Sequence, residues 1–547
     1  MARAKRVLSP AWGCLGAAAA LMAAALPALA APAAPFQLWP AVNGATPTAY
    51  VKEAPPLLPT ARPWRFAPGA LVDVSVDAAT ILRPVTPYQF GCNAAWWAGK
   101  GWFLDPDRID KAKQAGLRFW RWPGGSSSDN YHWDGDYRRH GLDHEGKPTA
   151  NMNGDWAVNS ADFISFCRQT GSEAIVTVNY AAARYADQAF AEGLAARWVR
   201  YFNQQQGFKV HYWEVGNEGF GPWEEGNTVP GLPQLTGAEY ARGMRGIADA
   251  MRRADPDICI GAVGLDVDAD DGWTGYHGWM RGLLSQLQGR ADFLILHQYF
   301  SWPFDSHKDY VDPSDQALFD GLKKVPDGKA AMDGMAAKYG APALPVALTE
   351  FNILNASAPP CVQLVNGLFT AAVLGESLKA GFVAADYWDW KNGWDEKMKG
   401  DNALLSNRDP AVPDGTPRPA YYAYALFERA FGDHLVEASS GDPSLRVYAS
   451  RFAGGQLGLV LVNQDGQART ARLHLAGASL RGRLMGWVLT GQDLRGPQVS
   501  WNGVDGMEGG GGPYPFDGIP PYGTAFDPAK ALPLPLPPRS AVGLVLY

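Results

Sequence analysis

From Tyr88 to about Phe431 the chain alternates short apolar runs with stretches of helical periodicity. The apolar runs fall at 88–93, 117–122, 174–179, 210–216, 258–263, 293–299, 345–350 and 382–388, each of a length and composition suited to a buried strand. Helical patterns occupy 107–115, 161–169, 188–205, 237–253, 276–288, 328–339 and 363–379, and one more near 420–431 completes the set. Strands alternating with helices predict parallel β/α winding. Periodicity alone also permits an open sheet, but eight repeats favour closure, so 81–431 is expected to form a (β/α)8 TIM barrel.

Past Phe431 the period drops to two. Arg446–Ala449, Leu457–Val462, Ala471–Leu475 and Ala541–Leu546 read as strands separated by turn residues, predicting a C-terminal antiparallel β-sandwich over 432–547. Leu71–Val76 alternates in the same way, and the strand at 69–80 is expected to join that sandwich, bringing the two ends of the chain together. Between lies 31–68, a Pro/Ala-rich arm or linker, while the Gly/Pro-rich stretch 508–523 reads as a long loop.

The beginning of the chain reads as a signal peptide over 1–30: Arg3, Lys5 and Arg6, an Ala/Leu-rich run, then Ala28-Leu29-Ala30. The expected location is secreted or periplasmic, with no membrane anchor after cleavage. Removing 1–30 takes three of the 48 basic residues and none of the 55 acidic ones, leaving a more acidic protein ill suited to nucleic acid. Cys92, Cys167, Cys259 and Cys361 then remain; Cys259 sits in an apolar run, and the spacings form no disulfide framework, so free buried thiols are expected. With only nine histidines and no Cys-x-x-Cys pair, neither a metal nor an organic cofactor is implied.

The chemistry concentrates where apolar strands end. Tyr212–Val215 runs through Gly216 into Asn217-Glu218 and a Gly/Pro-broken loop carrying Trp223; Val346–Thr349 ends on Glu350; Phe293–Leu296 ends on His297-Gln298-Tyr299. In an eight-stranded barrel such positions face the active site. Two carboxyls held there at short separation are what retaining hydrolysis of a glycosidic bond requires, one ionised and one protonated at rest. Glu214 shares strand parity with Glu218 and is read as an inward structural carboxylate, whereas Glu224 and Glu225 read as a solvated loop edge. Arg121 and Arg118 have opposite parity, and the Pro-Gly-Gly that follows favours Arg121 for the centre. Trp388 and Trp390, at the end of the eighth strand, share a face that could floor a sugar subsite; Trp96, Trp97 and Trp223 are weaker candidates of that kind.

These segments resemble the clan A glycoside hydrolases, with Arg121–Ser126, Trp213–Trp223, Leu296–Tyr299 and Leu348–Asn352 falling in the right order over strands two to seven. The resemblance implies that Glu218 is the acid/base, Glu350 the nucleophile, and Tyr299 and Arg121 the nucleophile's supports. It also implies that Asn217 bonds the sugar's 2-hydroxyl. Arg121–Gly125, Gly216–Trp223 and His297–Tyr299 are similar to the α-L-arabinofuranosidases, while Thr349–Asn352 is similar to the β-xylosidase/iduronidase family. Two departures stand out: Phe90–Asn93 lacks the substrate-binding Glu expected of arabinofuranosidases, and Ser126 stands where those enzymes usually carry Asn. The expected partner is therefore a poly- or oligosaccharide, cleaved by double displacement. A β-glycosidase, β-glucanase or β-xylosidase-like activity leads, with α-L-arabinofuranosidase as the alternative. Readings from other classes are a catalytically silent carbohydrate-binding barrel and a transglycosidase. A serine hydrolase is disfavoured because Gly125–Ser128 lacks the Gly-x-Ser-x-Gly elbow.

Overall fold

The computed structural model describes residues 50–136, 152–267, 276, 278–305 and 307–547; the expected signal peptide and the first part of the arm lie outside them. Eight parallel strands close into a barrel in chain order: Gly91–Asn93, Phe119–Trp122, Glu173–Val178, Tyr212–Val215, Cys259–Val263, Phe293–Ser301, Val346–Leu354 and Ala385–Tyr387. They are called strands one to eight below. Strand one is shorter than its apolar run predicts. Pro87 fixes a helical φ, and the backbone N–H of Thr86 donates to Gln89 Oε1 at 2.8 Å, so Pro87–Gln89 turns as a 3-10 helix instead.

The register between strands six and seven contains an irregularity that the pattern does not show. Leu296 lies opposite Leu348, but His297 lies opposite Glu350, so one residue of strand seven, Thr349, is bulged out. Such a bulge re-aims the side chains beyond it, and here it sets His297 beside Glu350.

The remaining chain builds a second layer: one curled, mostly antiparallel sheet of twelve strands. Ala70–Pro84 pairs antiparallel with His434–Ser440 and parallel with Arg469–Ala476, inserting the start of the described chain into the sheet made by its end. Val72, Val74, Leu459, Leu473, Leu534 and Leu544 enclose a core of the sheet's own, separate from that of the barrel. The loop 508–523 is anchored through Phe516, which is buried against Tyr421 and Trp501. Cys92, Cys167, Cys259 and Cys361 are free and buried.

Two helices join the layers. Leu364–Ala380 is apolar around nearly its whole circumference, as a helix buried on all sides must be. It packs on strand seven and on Leu457–Asn463 and Ser540–Leu546 of the sheet, while Pro419–Ala430 contacts the same two sheet strands. At the crossing, a Cβ placed on Gly375 would meet ring atoms of Tyr448 at 2.4 Å. The Tyr448 hydroxyl donates to Glu376 Oε1 at 2.9 Å. Among the described residues no helix is long and apolar enough to cross a membrane. Gly375→Leu is expected to pry the layers apart and destabilise the protein by about 1–3 kcal/mol, read as a lower Tm or denaturation midpoint, with an unchanged midpoint contradicting the packing.

Candidate active site

The residues of the site lie on the barrel strands or on the loops that follow them. Strands six and seven do not end at Tyr299 and Glu350, as the apolar runs predict, but continue to Ser301 and Leu354. Strand two delivers Arg121 into the barrel, where it is fully buried, while Arg118, of opposite parity, reaches outward to Glu428. The Arg121 guanidinium donates to four side chains on three other strands or their ends: Nε to Glu214 Oε2 at 2.7 Å, one terminal nitrogen to Asn93 Oδ1 at 3.0 Å and Glu350 Oε2 at 3.2 Å, the other to Asn217 Oδ1 at 2.8 Å. Thr177 of strand three donates to Glu214 Oε2 at 2.8 Å, locking the structural carboxylate on the other side. Asn93 spans to strands seven and eight, donating to the carbonyls of Thr349 at 2.9 Å and Tyr387 at 3.2 Å.

The turn after strand four explains why Gly216 precedes the Asn-Glu pair. Its φ is +79°, and a Cβ there would meet Tyr180 Cβ at 2.9 Å and Asp129 Oδ1 at 3.3 Å. Glycine takes this conformation without penalty. The buried Asp129 carboxylate then accepts the backbone N–H of Asn217 at 3.1 Å and of Tyr180 at 3.2 Å, tying the loops after strands three and four together.

Glu218 and Glu350 meet across the mouth. An oxygen of each and a ring nitrogen of His297 all lie within 4.8 Å of one another. His297 Nδ1 is 2.9 Å from Glu218 Oε1 and 3.7 Å from Glu350 Oε2. The Trp223 indole N–H donates to Glu218 Oε2 at 3.0 Å, so Trp223 supports the acid/base candidate from the side. The Tyr299 hydroxyl donates to Glu350 Oε1. Burial is the largest influence on Glu350 and raises it above the ordinary carboxylate range, with Glu218 pushing the same way, while His297, Arg121 and Tyr299 oppose the shift.

Other sequence expectations change. Glu224 is not a solvated loop edge but fully buried, and Glu225 is nearly so. Glu224 Oε1 accepts from the Ser126 hydroxyl at 2.7 Å and from Asn217 Nδ2 at 3.1 Å. Burial, then the charges of Asp129 and Glu218, hold its carboxyl well above the usual range, which favours its neutral form, and its hydrogen bonds make it a clamp. Asn217 is thereby fixed from both ends, by Arg121 and by Glu224. Ser126 belongs to this clamp. Trp390 does not floor a subsite: it is 1 % exposed and packs edge-on against Trp120 and Trp102 under the barrel rim. Trp388 is half-buried at the mouth, its ring edge over Gly125, where a Cβ would come within 2.6 Å. That approach accounts for the second glycine of the Pro-Gly-Gly segment.

Of the clustered residues, the sequence reading did not single out Asn93, Thr177, Asp129 or Glu224 as functional. Asn93 carried a signal, being a polar residue ending an apolar strand; Glu224 carried none, because a Glu-Glu pair in a Gly/Pro loop reads as surface. Glu218, His297 and Glu350 could in principle bracket a cation. The donors already on their oxygens, Arg121 above all, suit an acid pair better, since a guanidinium supplies the positive charge.

Two substitutions separate these roles. Glu214→Leu leaves the Arg121 charge buried beside a lost partner and is expected to destabilise the fold by about 3–5 kcal/mol in chemical unfolding. Glu224→Gln, close in shape to a neutral carboxyl, is expected to stay within a few-fold of the parent, whereas Glu224→Ala frees Asn217 and is expected to lower kcat/KM by roughly 100-fold. Equal losses in the two Glu224 variants would contradict a neutral clamp.

No protein-family model matches the chain. Among curated proteins it is similar to an intracellular exo-α-(1→5)-L-arabinofuranosidase of Acetivibrio thermocellus, 26% identical over 239 residues, or 40% of this chain and 43% of that protein. It is also similar to a probable α-L-arabinofuranosidase C of Aspergillus fumigatus, 27% identical over 192 residues, or 31% of this chain and 34% of that one. The matched stretch thus spans less than half of these relatives. Among solved structures, the α-L-arabinofuranosidase of Thermotoga maritima superposes with a TM-score of 0.64 at 19% identity, covering 87% of this chain and 100% of that one. A bifunctional glucanase-xylanase protein from a metagenome library gives 0.60 at 16%, covering 87% and 99%. The barrel with its appended β-domain is the fold shared with these solved structures, and the curated relatives accord with the resemblance to the glycoside hydrolases.

Proposed function

We propose that this protein is a retaining glycoside hydrolase in which Glu350 is the nucleophile and Glu218 the acid and then the base. The observation that carries the reading is that a carboxylate oxygen of Glu218 lies within 4.8 Å of one of Glu350, which puts the two groups close together. Retaining enzymes hold their carboxyls about 5–5.5 Å apart, whereas inverting ones leave about 6.5–9.5 Å for a water. The roles follow from the neighbours. Glu350 accepts from a guanidinium and a phenol, which favour its ionised form, while Glu218 faces an uncharged indole N–H and His297.

In the first step a Glu350 oxygen bonds the anomeric carbon as the glycosidic C–O bond breaks, and Glu218 gives its proton to the departing oxygen. In the second, Glu218 takes a proton from water as the water oxygen attacks that carbon and frees Glu350. To Asn217, held at both ends by Arg121 and Glu224, falls the 2-hydroxyl contact that the resemblance implies. No metal or organic cofactor enters these steps, so treatment with a chelator is expected to leave activity unchanged.

For the sugar, the curated relatives favour an α-L-arabinofuranosyl group over the β-glycosides that lead in the sequence reading. A β-glycosidase, β-glucanase or β-xylosidase-like activity remains the second reading. Asn93 supports it, since strand one ends on an amide committed to Arg121 and not on a substrate-binding carboxylate. The basic and apolar leader at 1–30 supports export of the protein.

A panel of aryl glycosides followed by proton NMR tests the reading. The first-formed sugar is expected to keep the anomeric configuration of the substrate, and an inverted product would refute the mechanism. Because Glu350 must be ionised and burial raises it, activity is expected to fall on the acid side above the ordinary carboxylate range. Tyr299→Phe removes a donor that opposes this shift, so that limb of the kcat/KM profile is expected to move to still higher pH. A limb that stays put or moves down would contradict the assignment.

A further inference from the structure

Four tryptophans form a continuous path from the centre to the rim. Trp388, following strand eight, lies 6.0 Å centroid to centroid from Trp97; Trp97 lies 5.9 Å from Trp96, and Trp96 5.6 Å from Trp156. Their three segments follow strands one, two and eight, so all stand on the face of the barrel that carries the site. At the inner end the Trp388 ring lies over Gly125, four residues beyond Arg121, and its backbone N–H donates to the carbonyl of Phe351, next to Glu350, at 2.9 Å.

The outer end differs from the rest. Trp156 is 58% exposed, while Trp96 and Trp97 are half-buried. Its backbone is nevertheless fixed. The Trp156 carbonyl accepts the N–H of Lys100 at 2.8 Å, the N–H of Val158 donates to the carbonyl of Trp96 at 2.9 Å, and the Trp96 indole N–H donates to Ser127 Oγ at 2.9 Å. An indole held open to water on a pinned backbone is preorganised, so a ligand stacking on it forgoes little conformational entropy. The faces of indoles suit the C–H faces of sugar rings. Continuity with the catalytic centre identifies the occupant as a sugar of the same substrate chain.

We propose that Trp156 forms a distal sugar-binding subsite, reached along Trp97 and Trp96, at which a poly- or oligosaccharide substrate stacks several residues from the bond that is cut. The proposal rests on the glycosidase reading for the identity of the chain, and it makes the natural substrate a polymer or long oligomer, not a short glycoside.

The test compares the intact protein with Trp156→Ala and Trp156→Phe. Migration in native gels cast with soluble arabinoxylan, branched arabinan or xyloglucan measures binding without catalysis. At least one polysaccharide is expected to retard the parent, Trp156→Ala is expected to lose most of that retardation, and Trp156→Phe to recover part of it. In hydrolysis, Trp156→Ala is expected to raise KM for that polysaccharide about fivefold, with kcat/KM for the matching 4-nitrophenyl glycoside unchanged within twofold. No retardation of the parent by any of the three, or equal retardation of parent and Trp156→Ala, would overturn the subsite. So would equal losses on polymer and aryl glycoside. If the parent binds polymer through Trp156 yet cleaves no glycoside, the subsite stands and the hydrolase reading fails.

Discussion

The architecture of the site depends on one buried guanidinium. Arg121 has no contact with water, and a charge so placed is tolerated only if its donors are met by well-aligned acceptors. Those acceptors come from strands one, four and seven and from the turn after strand four, so satisfying the arginine also fixes the relative positions of Asn93, Glu214, Asn217 and Glu350. Shape follows from electrostatics here. A barrel can shift its strand ends by fractions of an ångström at little cost, but not when four side chains must converge on one rigid fork.

The same centre accounts for how many acids can share a small volume. Burial pushes Glu224, Asp386 and Asp389 well above the usual carboxylate range, which favours their neutral forms and lessens their repulsion of the central pair. Negative charge is retained where positive or hydrogen-bonding groups meet it, at Glu350 through Arg121 and Tyr299. Glu350 is therefore balanced between burial, which favours its proton, and its donors, which favour its loss. That balance suits Glu350 to the nucleophile role proposed for it.

The barrel was legible because its strands are buried on both faces and its helices keep their period, and Glu218 and Glu350 were legible because polar residues that interrupt or follow apolar runs are conspicuous. What escaped depends on contacts distant in sequence. The bulge at Thr349, which sets His297 beside Glu350, is a matter of register between two strands and leaves no local pattern. Glu224 sits in a loop whose composition reads as surface, and only the folded loop reveals that it is covered. Trp388 and Trp390 share strand parity, yet the chain turns after strand eight, so one ring faces the mouth and the other packs beneath the rim. The curled sheet likewise takes its eighth strand, Ala70–Pro84, from the other end of the chain, with a parallel pairing that turn chemistry does not foretell.

Covalent trapping tests the central claim most directly. Incubation with a fluorinated glycoside that forms but only slowly releases the glycosyl-enzyme, followed by proteolysis and mass mapping, is expected to place the sugar on Glu350, with labelling abolished in Glu350→Gln. A label on any other residue would contradict the account, as would turnover of a cleavable substrate with no covalent species formed.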